Sequence, residues 1–206
     1  MKINYINNNY IIFLTLCLVS LPSIAATEVI PFSGYRISGE FTELNTGVSL
    51  DVDDSNTQGF IINKDYEADS QLEFIYNKQS SVLRAAGPVS PNAVFDIDIE
   101  YFHIGGIVLK PIDKSSDSFF GAGIGITHFS PDFSGYGSKS EWSLSLTGGI
   151  KRRITEHLGF RIGFRFYGTP VNKNTAIFCS NGSCDIRFKS NLYTQYETNI
   201  GLILRF

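Results

Sequence analysis

One stretch of the chain, YTQYETNIGLILRF at residues 193–206, alternates between two kinds of side chain along its whole length. Successive side chains of a β-strand point to opposite faces, so every second residue shares a face. One face would carry Tyr196, Thr198, Ile200, Leu202 and Leu204. The other face would be mostly polar, with Gln195, Glu197, Asn199 and Arg205. A membrane barrel has this pattern because its outer face meets lipid and its inner face is polar.

The N-terminus has the order of a secretory signal peptide. Lys2 is the only charge before Glu28, and it is followed by an apolar run at residues 11–19 and by small residues at 23–26. The apolar run is too short to span a membrane as a helix. We therefore predict a signal peptide at residues 1–25, cleaved after Ala25 or alternatively Ala26, and one domain at residues 26–206.

Composition narrows the class of protein further. Removing Lys2 leaves 16 basic against 20 acidic residues, a net charge of −4, which argues against a nucleic-acid partner. Mean hydropathy is +0.01, too low for a helical membrane protein. The 19 glycines and 28 aromatic residues suit many short, tightly packed strands and aromatic girdles at membrane interfaces.

Seven further alternating segments, separated by turn-forming clusters, predict an all-β chain. The expected strands lie at residues 32–41, 57–63, 72–77, 95–101, 119–129, 139–153, 158–167 and 193–206. The odd-numbered connections, 42–56, 85–93, 130–138 and 168–189, are longer than the even-numbered ones, 64–69, 111–118 and 154–157. Long external loops and short periplasmic turns are typical of outer-membrane barrels. We predict an eight-stranded antiparallel up-and-down transmembrane β-barrel.

The chain resembles the small eight-stranded outer-membrane β-barrels of Gram-negative bacteria, the OmpA-type and OmpX-type proteins. The segments that carry the resemblance are PFSGYR at 31–36, FGAGIGI at 120–126, ITEHLG at 154–159 and LRF at 204–206. The resemblance implies location in the outer membrane. It also implies that the terminal aromatic residue and the apolar residues before it form the signal read by the barrel-assembly machinery: Phe206, Leu204, Leu202 and Ile200. It implies no shared catalytic residue.

The inner face is predicted to carry an ion-pair network, because buried charges need partners and eight strands leave room only for side chains. Its expected members are Arg36, Glu40, Glu73, Asp96, Asp98, Glu100, Glu141, Lys151, Arg161, Arg165, Glu197 and Arg205. On the strand at 95–101 the three carboxylates share one face, which we assign to the interior. Interfacial girdles are expected at Tyr35, Tyr101, Trp142, Tyr167 and Tyr196.

Cys179 and Cys184 flank a Ser-Asn-Gly-Ser turn and remain after processing, in an oxidising compartment. Asn-Gly favours a two-residue hairpin turn, so Ser180 would face Ser183. Cys179 would then face Cys184 at a non-hydrogen-bonded position, within disulfide range. A disulfide at the tip of the longest external loop is the prediction.

The sequence contains two other candidate sites. His128 and Ser130 with Glu141 resemble the arrangement of barrel enzymes that deacylate lipid A, but Pro131 departs from that pattern, and Glu141 falls on the predicted inner face. Asp51, Asp53 and Asp54 are a weak candidate for a cation contact, without the spacing of a calcium loop. His103 and His157 have no metal-ligand spacing, and no cofactor or metal is expected.

The function that fits best is a non-enzymatic, structural or surface-interacting barrel with a closed polar lumen. A small pore or transporter and a lipid A-modifying enzyme are the alternatives, and a soluble lipocalin-like barrel would need the apolar face to point inward. The expected partners are outer-membrane lipids, lipopolysaccharide and, during biogenesis, the assembly machinery. The protein is expected to be a monomer, and the sequence does not identify an extracellular partner.

Overall fold

The structure is a computed structural model that describes residues 26–42, 49–86, 93–132, 138–170, 176–180, 183–187 and 192–206. These residues form twelve β-strands: β1 Thr27–Ser38, β2 Glu40–Thr42, β3 Ser49–Val52, β4 Ser55–Glu67, β5 Ser70–Ala86, β6 Ala93–Pro111, β7 Ser116–Pro131, β8 Lys139–Arg153, β9 Leu158–Pro170, β10 Ala176–Ser180, β11 Ser183–Arg187 and β12 Leu192–Arg205. Within the described residues, no helix is long and apolar enough to cross a membrane.

Eight of the strands close into a barrel. In order around the wall they are β1, β4, β5, β6, β7, β8, β9 and β12, and every neighbouring pair is antiparallel. The last strand closes the cylinder on the first, with Val29 opposite Leu204 and Tyr35 opposite Thr198. Closure leaves no edge strand, which a barrel in hydrocarbon requires. The predicted all-β, eight-stranded, up-and-down fold is confirmed.

Several strands are longer than the sequence pattern indicated. β5 has 17 residues and β6 has 19, whereas the alternation predicted strands at 72–77 and 95–101. The first connection also contains two short strands, and β3 pairs with the far end of β5. A strand crosses the bilayer in about 9–11 residues. The wall therefore continues well beyond the membrane at one end of the barrel.

The two ends of the barrel differ in their connections. At one end the turns are short: residues 68–69 join β4 to β5, 112–115 join β6 to β7 and 154–157 join β8 to β9. Thr27 and Phe206 also meet at this end through two backbone hydrogen bonds of 3.2 and 3.0 Å. The opposite end carries the longer connections. Short turns mark the periplasmic side of outer-membrane barrels, so the long strand extensions lie on the external side.

The outer face of the wall carries an apolar belt. Large apolar side chains of the described residues are 37–71 % exposed in the isolated barrel: Tyr35, Ile37, Phe60, Tyr66, Leu72, Phe102, Ile104, Val108, Ile112, Phe120, Ile124, Ile126, Trp142, Leu144, Leu146, Ile150, Ile154, Ile162, Phe164, Leu192, Tyr196, Ile200, Leu202 and Phe206. A contiguous exposed apolar surface of this size needs a cover. Lipid hydrocarbon can cover it, because a closed barrel makes its backbone hydrogen bonds within the wall.

The orientation of β6 corrects one prediction. Asp96, Asp98 and Glu100 lie on the outer face, and the alternate residues Ile97, Ile99 and Tyr101 are buried inside the barrel. The register of β6 with β5 and β7 has no shift, so inward and outward side chains alternate without interruption along the whole strand. Phe102, Ile104 and Val108 face outward in the belt, and this forces the three carboxylates outward too. They avoid lipid because they occupy the external extension of the strand.

Candidate functional site

Glu73 is the centre of the ion-pair network in the lumen. Its carboxylate accepts a hydrogen bond of 2.6 Å from Nη1 of Arg161 and a second from Nη2 of Arg165. All three side chains are buried, and Glu73 comes from the opposite wall, on β5. The guanidinium of Arg161 also lies 4.0 Å from the centre of the Phe119 ring. One carboxylate thus ties two arginines of β9 across the lumen.

A second cluster crosses the lumen nearer the external side. Nη2 of Arg36 donates to Oε2 of Glu197 and to Oδ1 of Asn77, each at 2.6 Å, and Nη1 donates to Gln79 at 3.3 Å. Asn77 in turn donates to Glu197 at 3.0 Å and to the hydroxyl of Tyr167 at 2.7 Å. These contacts join β1, β5, β9 and β12. The charged groups therefore have hydrogen-bond partners on several strands.

Aromatic rings fill the remaining space at this level. The rings of Tyr101 and Tyr167 stack with their centres 4.0 Å apart, and the guanidinium of Arg36 lies 4.8 Å from the Tyr101 ring centre. His103 packs edge-on to Tyr167 and is held between Ser143 at 2.7 Å and Ser145 at 3.0 Å. The two tyrosines, predicted as interfacial girdles, are therefore interior residues. Both share a face with other buried side chains of their strands.

The periplasmic mouth is a small charged cavity of about 290 Å³. Its inner end is closed by Lys151, whose ammonium donates to Glu28 at 2.6 Å and to Gln71. At its rim, Arg205 pairs with Asp65 at 2.8 Å. Five apolar residues form a buried cluster on the β1, β4, β5 and β12 wall, two positions further from the mouth than Glu28 and Glu73 on β1 and β5: Ile30, Phe32, Ile61, Ile75 and Ile203. The periplasmic mouth is therefore bordered by ion pairs and an apolar cluster.

Polar contacts also cover the outer face of the external extension. Lys78 pairs with Asp98 at 2.6 Å, and the hydroxyl of Tyr76 donates to Glu100 at 2.7 Å. Asp53 lies in the first connection, and both of its carboxylate oxygens accept hydrogen bonds of 2.9 Å from Nε of Arg84 on β5. That hydrogen bonding lowers the pKa of Asp53. The carboxylate of Asp54 accepts the backbone N–H of Ser38 at 3.0 Å.

The predicted lumen network is thus realised in part. Six of its members are buried inside and paired as described: Arg36, Glu73, Lys151, Arg161, Arg165 and Glu197. Arg205 lies at the periplasmic rim, and Glu141 lies on the inner face near the external mouth, 3.4 Å from Lys139. Asp96, Asp98 and Glu100 belong to the outer face instead. Nothing is described of the Glu40 side chain.

Sequence reasoning missed several interior groups. Glu28 was left out because β1 begins five residues earlier than the alternation indicated, at Thr27. The neutral polar side chains that complete the network were not assigned either: Asn63, Gln71, Asn77, Gln79, Gln195 and Asn199. Their signal was present, since each stands an even number of positions from another inward residue of its strand. Only the charged members of those faces were used.

The lipid A deacylase arrangement is not assembled. Nδ1 of His128 is 2.8 Å from the hydroxyl of Ser140, on the outer face, and Ser130 shares that face. Glu141 stands opposite Thr127, which is fully buried in the lumen, so the wall of the barrel separates it from His128. Among the described residues, no group of three His, Cys, Asp or Glu side chains could hold a metal ion.

Other predicted sites keep their status as predictions. Residues 1–25, with the cleavage position Ala25, lie outside the described residues, which begin at Ala26. β10 and β11 form a separate two-stranded sheet in which Cys179 is opposite Cys184 and Ser180 opposite Ser183, but the side chains of this hairpin are not among those described. Ile200, Leu202 and Phe206 lie exposed, with Ile200 and Leu202 on the outer face of β12.

No family model matches the chain, and no curated protein matches it. Solved structures share its fold. The outer membrane protein OprG from Pseudomonas aeruginosa is 14 % identical with a TM-score of 0.61, covering 88 % of this chain and 96 % of that one. Neisserial surface protein A is 13 % identical with a TM-score of 0.58, covering 88 % and 99 %. The outer membrane protein AlkL, solved in lipid bilayers, is 13 % identical with a TM-score of 0.60, covering 100 % and 97 %.

These likenesses are at the level of the fold. The closed eight-stranded wall, the short turns at one end and the exposed apolar belt are those of a small outer-membrane β-barrel. Fold and belt together place the chain in the outer membrane, as the sequence pattern predicted.

Proposed function

We propose that the protein is a non-enzymatic outer-membrane barrel whose lumen is closed and whose activity resides in its external connections. One observation carries the proposal: ion pairs and stacked rings from opposite walls fill the lumen at successive levels. Glu73 is held by two arginines, Arg36 bridges β1 to β5 and β12, and the stacked Tyr101 and Tyr167 fill the space beside it. An ion path through these levels would have to break buried charge pairs.

The external hairpin β10–β11 supports a role at the cell surface. It lies in the longest connection, and a disulfide between Cys179 and Cys184 would stiffen its tip. Lipids and lipopolysaccharide around the belt, the barrel-assembly machinery and a monomeric state belong to the same proposal. The apolar outer face supports the lipid partners. The enzymatic alternative lacks support, because Glu141 lies on the opposite side of the wall from His128.

Planar-bilayer recording of the purified protein tests the closed lumen. We expect no stable openings from the wild type, and a porin recorded under the same conditions serves as the positive control. Stable openings from the wild type would favour the small-pore alternative. Mass spectrometry of lipid A from cells with and without the protein tests the enzyme alternative in the same strains, and we expect identical lipid A.

A further inference from the structure

An apolar groove runs along the outer face of the periplasmic half of the barrel. Its volume is about 570 Å³, and it lies over the outer faces of β8 and β9, bordered by Thr198 of β12 and by Ile112, Asp113 and Ser116 at the turn between β6 and β7. Ile150 and Ile162 stand opposite each other in the register and form its walls with Phe160. The groove lies within the lipid-facing belt, so its occupant must come from the bilayer.

The floor of the groove is the backbone of Gly149 and Gly163, which are opposite each other in adjacent strands. Both residues face the lumen, where an added Cβ would meet the Phe119 ring. Gly148 faces outward, and the Phe164 ring leans across it: a Cβ added at Gly148 would come 2.8 Å from Cζ of that ring. The ring in this position bounds the groove toward the middle of the membrane. A larger residue at 148 would displace it.

The side chain of Arg152 lies at the periplasmic end of the groove. The sequence carries three consecutive basic residues, and two of them have partners: Lys151 pairs with Glu28, and Arg153 donates to the backbone of Lys114 at 3.2 Å. Arg152 lines the groove and is exposed, and no described carboxylate lies within ion-pair distance of it, although Asp113, which also lines the groove, interacts with it electrostatically. An outward arginine costs little near the interface and several-fold more at the bilayer midplane. Its position next to the 154–157 turn therefore places it at headgroup level.

The dimensions fit one lipid chain. Arg152 is four positions from Gly148, which is about 13 Å along a strand. Half the hydrocarbon core is about 15 Å thick. Arginine binds phosphate oxygens through two parallel N–H groups, and basic pockets at membrane interfaces take anionic headgroups. Charge and length thus point to the same ligand.

We propose that this groove binds one phospholipid of the periplasmic leaflet, with an acyl chain lying along β8 and β9 and an anionic phosphate on Arg152. The site is independent of what the external connections do. It would anchor the barrel at a defined depth and rotation relative to that leaflet.

Native mass spectrometry of the full-length, membrane-extracted protein in detergent tests the proposal. The probes are phosphatidylglycerol and phosphatidylcholine with the same acyl chains, and lipid A. We expect one phosphatidylglycerol to be retained in preference to the other two. Arg152→Gln should weaken phosphatidylglycerol binding by about fivefold and leave phosphatidylcholine unchanged. Gly148→Leu, which displaces the Phe164 ring, should weaken both phospholipids.

Lys64→Gln is the matched control, because Lys64 is also an exposed cation of the periplasmic half without an ion pair among the described residues, but it does not line the groove. The control should bind as the wild type does. Equal binding by Arg152→Gln and Lys64→Gln would overturn the assignment of the phosphate. A wild type that does not discriminate among the three lipids, or that prefers lipid A, would overturn the site itself.

Discussion

Replacing Glu73 by glutamine should destabilise the barrel more than removing Arg161, one of the two arginines that hold it. Among the described residues, the buried interior contains three acidic groups and four basic ones: Glu28, Glu73, Glu197, Arg36, Lys151, Arg161 and Arg165. The variant raises that excess of positive charge and leaves two guanidinium groups without their counter-ion. Breaking a buried pair costs about 3–5 kcal/mol, and glutamine retains one acceptor oxygen, so we expect about 3 kcal/mol.

Arg161→Met makes the opposite change. It removes the excess charge, keeps Glu73 paired with Arg165, and eliminates the Nε of Arg161, which has no hydrogen-bond partner. Removing one partner of a buried pair is costly when it leaves the other charge unpaired; here Glu73 keeps Arg165, so we expect a smaller loss, of about 1 kcal/mol. Asp98→Asn is the control on the outer face. Its pair with Lys78 is well exposed, with side-chain exposures of 37 % and 42 %, and should contribute less than about 1 kcal/mol.

Urea unfolding in lipid vesicles measures these differences. Trp142 is the only tryptophan of the chain and is exposed on the outer face, so its emission reports when the barrel leaves the lipid. The expected order of loss is Glu73→Gln, then Arg161→Met and Asp98→Asn together. If Glu73→Gln lost no more stability than Asp98→Asn, or less than Arg161→Met, the ion pairs of Glu73 would not be a main source of the barrel's stability.

Two further predictions concern the wall and the external hairpin. A Cβ added at Gly105 would come 2.6 Å from Cα of Gly123 and overlap the backbone of Ala122, whereas one at Gly106 meets nothing closer than 3.7 Å; Gly105→Ala should cost about 1–3 kcal/mol in urea unfolding and Gly106→Ala should cost nothing, and equal effects would refute the close approach of β6 and β7. Intact-mass analysis of thiol-alkylated protein should label Cys179 and Cys184 only after reduction, and labelling of the untreated protein would exclude the disulfide.

Alternation was enough to predict the architecture. A strand that crosses a bilayer must keep one apolar face, and β12, β7, β8 and β9 show that face over most of their length. The paired β10 and β11 also lie where the Asn-Gly turn indicated a hairpin. The ends of the strands were harder to predict. On β5 the missed part is the external end, residues 78–86, where neither face has to be apolar and the alternation fades. On β6 the alternation marked the external end, residues 95–101, and the missed part is the membrane section, where Ile107 and Leu109 make the inner face apolar as well.

The interior network was only half predictable, for a related reason. Charge alone marked Arg36, Glu73 and Glu197 correctly, because in the membrane section an ionised group has nowhere to go except inward. The same rule failed at Asp98, where the surroundings of the outer face are aqueous. Neutral partners such as Asn77 could not be selected by charge at all. Their assignment needs the register that brings β5, β9 and β12 to the same level of the lumen.

The barrel is therefore two environments joined by one continuous wall. In the membrane section the outer face is apolar and the inner face holds ion pairs; in the external section this polarity reverses, with Asp98 and Glu100 outside and Ile97 and Ile99 inside. The face that each residue occupies cannot change along β6, because its register has no bulge. The change of polarity along the strand therefore comes from the residue types that occupy each face. The external part of β6 thus resembles a strand of a water-soluble sheet, with its apolar face inward. Such a section can support long connections at a fixed distance from the membrane without using the lumen.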